Sequence, residues 1–229
     1  MHGINSLGVN VDDRHYSERE RQRRGVLRVI DRQFSPGRWQ VARQVASPNA
    51  DQRPDDEVSL LLIHAISLPP GQFQGTAVEA LFTNQLDPGA HPYFAAIAHL
   101  RVSAHLLIRR DGECVQFVDT DQRAWHAGRS RWWDSRQQRW RQALNDFSVG
   151  IELEGDETTP FTKAQYVALA KAARWLLGRY PALTPERVTS HARVAPLRKT
   201  DPGPTFDWAY WRQLVATQED DLSRDESRN

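Results

Sequence analysis

The chain has 229 residues, with 30 basic and 29 acidic side chains and a formal net charge of +1 at neutral pH. This length suits one domain with tails, and so small a net charge gives no global field that would steer the protein to nucleic acid or to an acidic membrane. The single cysteine, Cys114, excludes an internal disulfide and a metal site built from several thiolates. Any metal must therefore bind to the eight histidines and to carboxylates.

The two ends of the chain differ in composition from its middle. Residues 1–25 are polar and include the basic run RHYSERERQRR, and residues 218–229 are acidic; we interpret both as disordered tails of a domain at residues 26–217. The start shows no apolar h-region behind a basic n-region, and no segment has the roughly 18–20 apolar residues of a membrane helix. We therefore expect a cytoplasmic protein that binds neither membrane nor nucleic acid.

The first half of the domain has three clear patterns. Residues 59–67, SLLLIHAIS, form an apolar run of the length of a buried strand, with His64 near its centre. Residues 76–86 carry apolar side chains at helical spacing. Residues 103–110 and 114–118 are joined through Asp111-Gly112, which favours a tight turn. These two runs predict an antiparallel hairpin.

The second half alternates strand and helix patterns. Ser148–Glu154 alternates apolar residues with Glu152 and Glu154, which predicts a strand with one carboxylate-bearing face. Thr162 and Gln165 have the spacing of a capping box and begin an amphipathic helix that ends before Pro181. Residues 187–191 predict a short strand, and residues 206–215 an aromatic-rich helix. The predicted fold is a single α/β (α+β) domain in which helices flank a central mixed sheet.

Several side chains have the chemistry and the placement of zinc ligands. A catalytic zinc ion without thiolates takes about three His or carboxylate ligands and keeps an open position. His64 and His191 lie in or at the end of predicted strands, and Asp201 lies in a loop stiffened by Pro202-Gly203-Pro204. Spacing alone does not force these residues together, since His105 and His126 compete for the same roles. A core histidine without a ligand role is an equally good interpretation of His64.

A zinc hydrolase also needs a base and a donor for the developing oxyanion. Glu152 or Glu154 could be the base, and the other would be a surface carboxylate or an ion-pair partner. Lys199 lies two residues before Asp201, so it could contact a substrate oxygen if Asp201 binds the metal; otherwise it is an exposed loop lysine. The Trp- and Arg-rich segment at residues 129–141 could stack on bases, on sugar rings or on the domain itself.

Taken in order, the motifs of the domain resemble those of a known enzyme family. They are LLIHAISLPPGQFQG, LFTNQLDPGAHPYF, IAHLRVSAHLLIRRDGECVQFV, RAWHAG, NDFSVGIELEGD and HARVAPLRKTDPGPTFDW. Over roughly residues 39–215 this set resembles the AmpD-type N-acetylmuramoyl-L-alanine amidases, cytoplasmic zinc enzymes of peptidoglycan recycling with the peptidoglycan-recognition-protein type of fold. The resemblance implies hydrolysis of the amide between 1,6-anhydro-N-acetylmuramic acid and the L-alanine of the stem peptide. It also implies one zinc ion and an anhydromuramyl-peptide substrate.

The resemblance assigns roles to individual residues. It places the zinc ligands at His64, His191 and Asp201, the base that activates water at Glu152, and the oxyanion donor at Lys199. Glu154 is then structural, and His105 and His126 are not ligands. The implied contacts with the substrate are Arg101, Trp125, His126 and Asn145.

The chain departs from the family pattern at three places. Ala65 replaces a family asparagine, the segment at 129–141 is longer, and an arginine expected shortly before Asn145 is displaced, with Arg141 as the nearest stand-in. Two other functions are compatible with the fold that the resemblance implies: a periplasmic amidase that acts on polymeric peptidoglycan, and a non-catalytic peptidoglycan-binding module. The missing signal peptide argues against the first and the full ligand set against the second. We expect the protein to act as a monomer.

Overall fold

The computed structural model describes residues 37–217. No helix in that part of the chain is long and apolar enough to cross a membrane. The tails predicted at residues 1–25 and 218–229, and the first residues of the predicted domain at 26–217, lie outside the described residues.

Residues 37–217 form ten strands and five α-helices. The strands are β1 (Arg43–Gln44), β2 (Ala50–Gln52), β3 (Leu60–Ile66), β4 (Leu106–Ile108), β5 (Cys114–Gln116), β6 (Gln122–Ala124), β7 (Trp132–Asp134), β8 (Arg139–Arg141), β9 (Ser148–Glu154) and β10 (Val188–Ser190). The helices are α1 (Ala77–Phe82), α2 (Pro92–Ile97), α3 (Lys163–Arg179), α4 (His191–Val194) and α5 (Trp208–Ala216). Short 3-10 helices at Leu144–Asp146 and Pro185–Arg187 precede β9 and β10.

Six strands form a central mixed sheet in the order β1-β5-β4-β9-β3-β10. Neighbouring strands are parallel except for β4 and β5, which form the antiparallel hairpin predicted around Asp111-Gly112. In the β3 and β9 pair, Leu60 lies opposite Ser148 and His64 opposite Glu152. Because paired residues of neighbouring strands point to the same face, the register puts His64 and Glu152 side by side.

Both faces of the sheet are covered, as the continuous apolar run in β3 predicts. Leu61 and Ile63 pack with Leu169 and Leu176 of α3 in one hydrophobic cluster. Leu60 and Leu62 point the other way and pack with residues of the loops before β9, and α1 covers β4 and β5 on that side. His64 follows the alternation of Leu60 and Leu62 and therefore lies on the face opposite α3.

The structure confirms the mixed α+β fold and its main elements, and it corrects two details. The capping box of α3 is formed, since the Gln165 backbone N–H donates to Thr162 Oγ1 at 3.1 Å and the Thr162 N–H to Gln165 Oε1 at 3.1 Å. All of Ser148–Glu154 is buried, so neither glutamate is a surface carboxylate. His191 does not end a strand but begins α4, because the Ser190 side chain caps that helix through the Arg193 N–H.

The Trp- and Arg-rich segment forms the antiparallel hairpin β7-β8. Trp133 and Trp140 pair across the strands, with ring centroids 5.7 Å apart, and both are exposed. Asp134 anchors the hairpin because its buried carboxylate accepts hydrogen bonds from Arg187 at 3.0 and 3.1 Å. The hairpin is thus fastened to the 3-10 helix before β10 rather than standing free.

Candidate metal centre and substrate cleft

Three side chains from separate segments converge at one point on the face of the sheet opposite α3. His64 Nδ1 lies 2.9 Å from His191 Nδ1 and 3.3 Å from Asp201 Oδ2, and His191 Nδ1 lies 3.1 Å from Asp201 Oδ2. Ligand atoms held about 2.0–2.1 Å from a tetrahedral zinc ion lie about 3.3 Å from one another. The residue types and their spacing therefore fit a single metal ion.

Neighbouring elements hold the three side chains in place. His64 comes from β3, and His191 directly follows β10, which pairs with β3 through Ser190 and Ile63. The loop that carries Asp201 is tied to α4, because the Ala192 N–H donates to the Asp201 carbonyl at 2.9 Å. The sheet thus brings together residues that are 127 positions apart in the chain.

The electrostatics favour the protonation states that metals require. Burial lowers the pKa of His64 to about 4 and outweighs the hydrogen bond to Asp201, which raises it. Burial opposes ionisation of Asp201, but its hydrogen bonds with His191 and His64 hold the pKa of its carboxyl below the usual range. These shifts favour a neutral imidazole at His64 and a carboxylate at Asp201, the forms in which both groups bind a metal ion.

Glu152 lies beside this group with a carboxyl oxygen that has no partner. Its Oε2 atom is buried and accepts no hydrogen bond from the described residues. Burial, then the charge of Asp201, raises its pKa well above the usual value, and Lys199 only partly opposes the shift. A carboxyl group with a raised pKa in a cleft is a candidate for general acid–base chemistry.

The second glutamate of the strand is engaged in structural contacts. Glu154 accepts hydrogen bonds from the backbone N–H groups of Gln74, at 2.5 Å, and Arg110, at 3.0 Å. The guanidinium of Arg109 lies 3.5 Å from the same carboxylate. Of the two glutamates that the sequence leaves open, Glu152 is the one with an unpartnered oxygen, and it lies opposite His64 in the strand pair.

His105 is unsuited to bind the metal. Its Nδ1 accepts the backbone N–H of Gly150 at 2.9 Å, so its Nε2 carries the proton and donates to the Gln122 carbonyl at 3.1 Å. Burial, and secondarily the charge of Arg53, lowers its pKa to about 3. Both ring nitrogens are therefore used within the sheet.

A cleft of about 510 Å³ opens over the candidate metal group. Its polar wall includes the metal-site residues His191 and Asp201 together with Trp125, His126, Glu152 and Lys199. Apolar residues of α1 and α2 and the loop after α2 form the opposite wall. Ala65, where the chain departs from the family pattern, lines the cleft and also packs against the hydrophobic cluster on the α3 side of the sheet.

Two predicted substrate contacts lie off the cleft wall. Arg101 is exposed between two lining residues, and its guanidinium donates to the carbonyls of His99 and Leu100, at 3.3 and 3.4 Å. Asn145 lies behind the wall, where its Oδ1 accepts the backbone N–H groups of His126 and Ala127 at 3.2 and 2.8 Å. Their direct contact with a substrate stays a prediction, and for Asn145 the observed contacts are those of a loop support.

The hairpin and its arginine are not in the cleft. None of the described residues at 129–141 lines it. Arg141 donates to Glu57 at 2.7 and 2.9 Å and lies 3.5 Å above the ring of Phe147. The structure therefore gives Arg141 a packing role and does not favour it as a stand-in for a substrate-binding arginine.

Arg198 lines the cleft, although the sequence analysis did not predict it as a site residue. Its NH2 group donates to the Ala127 carbonyl at 2.9 Å and lies 3.3 Å from His191 Nε2. Its place beside Lys199, in the loop that leads to Asp201, was the available signal. A buried arginine, Arg53, donates to the Ser148 and Thr120 carbonyls behind the site, and nothing in its sequence context indicated these contacts.

A protein-family model covers the residues of this site. The family model described as N-acetylmuramoyl-L-alanine amidase matches residues 54–204. The chain belongs to the N-acetylmuramoyl-L-alanine amidase family. The matched range contains every member of the candidate metal and acid–base group: His64, Glu152, His191, Lys199 and Asp201.

Close relatives of this amidase have a more specific name. The chain is 59% identical over 175 residues to the 1,6-anhydro-N-acetylmuramyl-L-alanine amidase AmpD of Citrobacter freundii, and the match covers 76% of this chain and 90% of that protein. It is 57% identical over 182 residues to AmpD of Escherichia coli K12, covering 79% and 96% of the two chains. A crystal structure of a selenomethionine derivative of AmpD matches with a TM-score of 0.75 and 56% identity, over 79% of this chain and 98% of that one. These findings confirm the predicted family, fold and enzyme class.

Proposed function

We propose that this amidase hydrolyses the amide bond between 1,6-anhydro-N-acetylmuramic acid and the L-alanine of the stem peptide, in cytoplasmic recycling of muropeptides. The main support is the convergence of three candidate ligand atoms, 2.9–3.3 Å apart. Glu152, which has an unpartnered oxygen, lies opposite His64 in the neighbouring strand. The names of the AmpD relatives support the choice of substrate. So does the AmpDH3 structure from Pseudomonas aeruginosa in complex with anhydromuramic pentapeptide, which is 26% identical with a TM-score of 0.52.

The metal ion that we propose at this site is zinc, held by His64, His191 and Asp201. Three nitrogen and oxygen ligands with room for another are typical of catalytic zinc sites. A bound zinc ion would supply Lewis-acid chemistry, since it polarises a carbonyl and lowers the pKa of water toward neutrality. The buried histidines and the ionised Asp201 would supply the ligands in their deprotonated forms.

Glu152 carries the proton in the proposed mechanism. Glu152 lines the cleft and lies opposite His64 in the pair of β3 and β9, and its Oε2 atom has no hydrogen-bond partner among the described residues. As the carboxylate, it accepts a proton from the attacking water, and as the acid it passes that proton to the alanine nitrogen that leaves. The raised pKa makes the Glu152 carboxylate a stronger base than an exposed glutamate, which favours the first of these steps.

Lys199 and the cleft walls bind the reacting groups. Lys199 lines the cleft together with Glu152 and Asp201, and its ammonium donates hydrogen bonds to the oxyanion that develops on the scissile carbonyl. Trp125 and His126 contact the sugar and the start of the peptide. Arg101, at the rim, offers a forked guanidinium to a stem-peptide carboxylate.

Release of free peptide from a defined substrate tests this function. Metal-loaded and chelated protein are incubated with 1,6-anhydromuramyl-tripeptide and, separately, with polymeric peptidoglycan, and the products are followed by mass spectrometry. We expect zinc-dependent release of peptide from the anhydro-substrate. No zinc-dependent release would contradict the proposal, and release from the polymer alone would favour the periplasmic alternative.

Two variants separate metal binding from proton transfer. Asp201→Ala removes a ligand and should lose zinc, whereas Glu152→Gln should keep zinc and lose about 10²–10⁴-fold in kcat. Glu157→Gln is the matched control, because Glu157 is an exposed carboxylate of the same cleft, hydrogen-bonded to Thr200. A fully active Glu152→Gln variant would show that the base is assigned wrongly.

A further inference from the structure

A row of hydrogen bonds leads from the candidate ligand His64 into the interior of the domain. His64 Nε2 lies 3.0 Å from His126 Nδ1. His126 Nε2 lies 3.3 Å from Ser148 Oγ, and the Ser148 hydroxyl donates to the Leu144 carbonyl at 2.6 Å. The row therefore joins four residues on the face of the sheet that carries the metal group.

The position of each proton in the row follows from the metal site. His64 Nδ1 faces His191 and Asp201, so with the proposed metal ion bound between them the Nδ1 lone pair would point to the ion and the proton of the neutral ring would lie on Nε2. His126 Nδ1 must then accept that proton, which places the proton of His126 on Nε2, facing Ser148. Ser148 accepts it and donates to a carbonyl. All donors thus point away from the metal site, and each group has a partner.

The ring of His126 is held in this position from several sides. Its backbone N–H donates to Asn145 Oδ1 at 3.2 Å. Its ring meets the rings of His64 and His105 edge-on, at centroid distances of 5.1 and 5.5 Å. A Cβ atom at Gly150 would lie 2.4 Å from His126 Nδ1. Strand β9 therefore leaves room for the ring because residue 150 has no side chain.

We propose that His126 is a positioning residue of the metal centre: its Nδ1 accepts the Nε2 proton of His64 and so fixes the tautomer and the orientation of that ligand. This inference rests on the zinc site proposed above. Metal-binding histidines usually donate their second ring N–H to a carboxylate, a backbone carbonyl or water. His191 has the usual arrangement, since its Nε2 lies 3.2 Å from the Ala127 carbonyl. For His64, the acceptor is a second histidine.

A histidine in this place has a different effect from a carboxylate. The site already contains Asp201 and, next to His64 across the strand pair, Glu152. A further carboxylate behind His64 would add negative charge to a buried cluster that already contains two carboxyl groups. A neutral imidazole orients the ligand without adding charge. His126 can therefore orient His64 without adding a charge near Glu152.

Zinc affinity of the full-length protein tests the proposal without any substrate. His126→Phe keeps a ring of similar size and removes the acceptor, so we expect the zinc Kd to rise about 10–100-fold. His126→Asn places an amide oxygen near the position of Nδ1 and should recover part of that loss. Gly150→Ala puts a methyl group against the ring and should weaken zinc binding while His126 is still present. The Kd values come from competition with a chromophoric chelator.

The controls distinguish positioning from general damage. Val149 is the neighbour of Gly150 on β9 and packs on the α3 side, so Val149→Ala should lower thermal stability and leave the zinc Kd unchanged. The proposal is overturned if His126→Phe binds zinc as tightly as the wild type, or if His126→Asn binds as weakly as His126→Phe. If His64→Ala also binds zinc like the wild type, the zinc site itself is wrong, which is a separate failure.

Discussion

The buried carboxylate of Asp134 offers the sharpest test of how the Trp- and Arg-rich hairpin is held. Asp134 accepts from Arg187 at 3.0 and 3.1 Å, from Arg141 at 3.3 Å and from the Arg136 backbone N–H at 3.0 Å. Asp134 and Arg187 are 1% and 5% exposed, so water cannot replace the carboxylate. Asp134→Ala therefore leaves the Arg187 guanidinium buried without its counter-charge.

The size of the effect follows from that burial. Removal of one partner of a buried ion pair costs about 3–5 kcal/mol, because the other charge stays behind. For a domain of about 180 residues, 1 kcal/mol shifts the Tm by about 2–4 °C. We therefore expect Asp134→Ala to lower the Tm by about 6–20 °C. Circular dichroism melts and urea titrations with a chelator present measure the change without a contribution from bound metal.

Two further variants show whether the reasoning about charge is right. Glu57 is the outer partner of Arg141, and the Glu57 side chain is 30% exposed. Glu57→Ala should therefore lower the free energy of unfolding by only about 0–1 kcal/mol. Asp134→Leu combined with Arg187→Met removes both buried charges and should be more stable than Asp134→Ala. A loss below about 1 kcal/mol for Asp134→Ala would refute the account, because it would mean that water reaches Arg187.

Three other expectations concern the capping box, acid stability and the exposed tryptophans. Thr162→Ala removes the side-chain cap of α3 and should cost about 1 kcal/mol in a urea titration; a change near zero would mean that the cap is not formed in solution. Hydrogen bonds from Arg187 hold the pKa of Asp134 below its usual range, so its contribution to stability is present above about pH 4 and is lost as pH falls through the folded-state value. With a chelator present, the free energy of unfolding of the wild type should therefore fall more steeply below pH 4 than that of Asp134→Asn. Equal slopes would contradict the lowered pKa of Asp134. Trp133→Ser with Trp140→Ser should leave kcat/KM for the anhydro-substrate unchanged, since neither residue lines the cleft; a tenfold drop would show that the hairpin reaches the substrate.

Local patterns predicted the elements that depend on local interactions. The apolar run around His64 gave β3, and the alternation at Ser148–Glu154 gave β9 with its observed bounds. The Thr162 and Gln165 spacing gave the start of α3. Each of these signals acts over a few residues, because strand alternation and helix capping are properties of neighbouring positions.

Long-range arrangement could not be deduced in the same way. Nothing near Glu152 or Glu154 says which has a free oxygen, because the difference comes from Gln74 and Arg110, which bind Glu154 from other segments. His126 was assigned to the cleft through family resemblance, and its contact with His64 depends on how the loop before β7 folds against β9. The sequence therefore predicted which strands and loops carry the candidate site residues. Their hydrogen-bond partners are determined by tertiary packing, which local patterns do not reveal.

The pairing of β3 with β9 also ties the proposed catalytic residues to correct folding. His64 and Glu152 are direct partners in this register, so their separation is set by the distance of about 4.7–4.9 Å between neighbouring strands. A slip of one residue in either strand would turn its polar side chain toward α3 and bring an apolar one into the cleft. A molecule with the wrong register would therefore lose either a proposed metal ligand or the proposed base entirely, instead of keeping a weakened site. The fraction of active sites in a refolded sample would then equal the fraction of molecules with the native register.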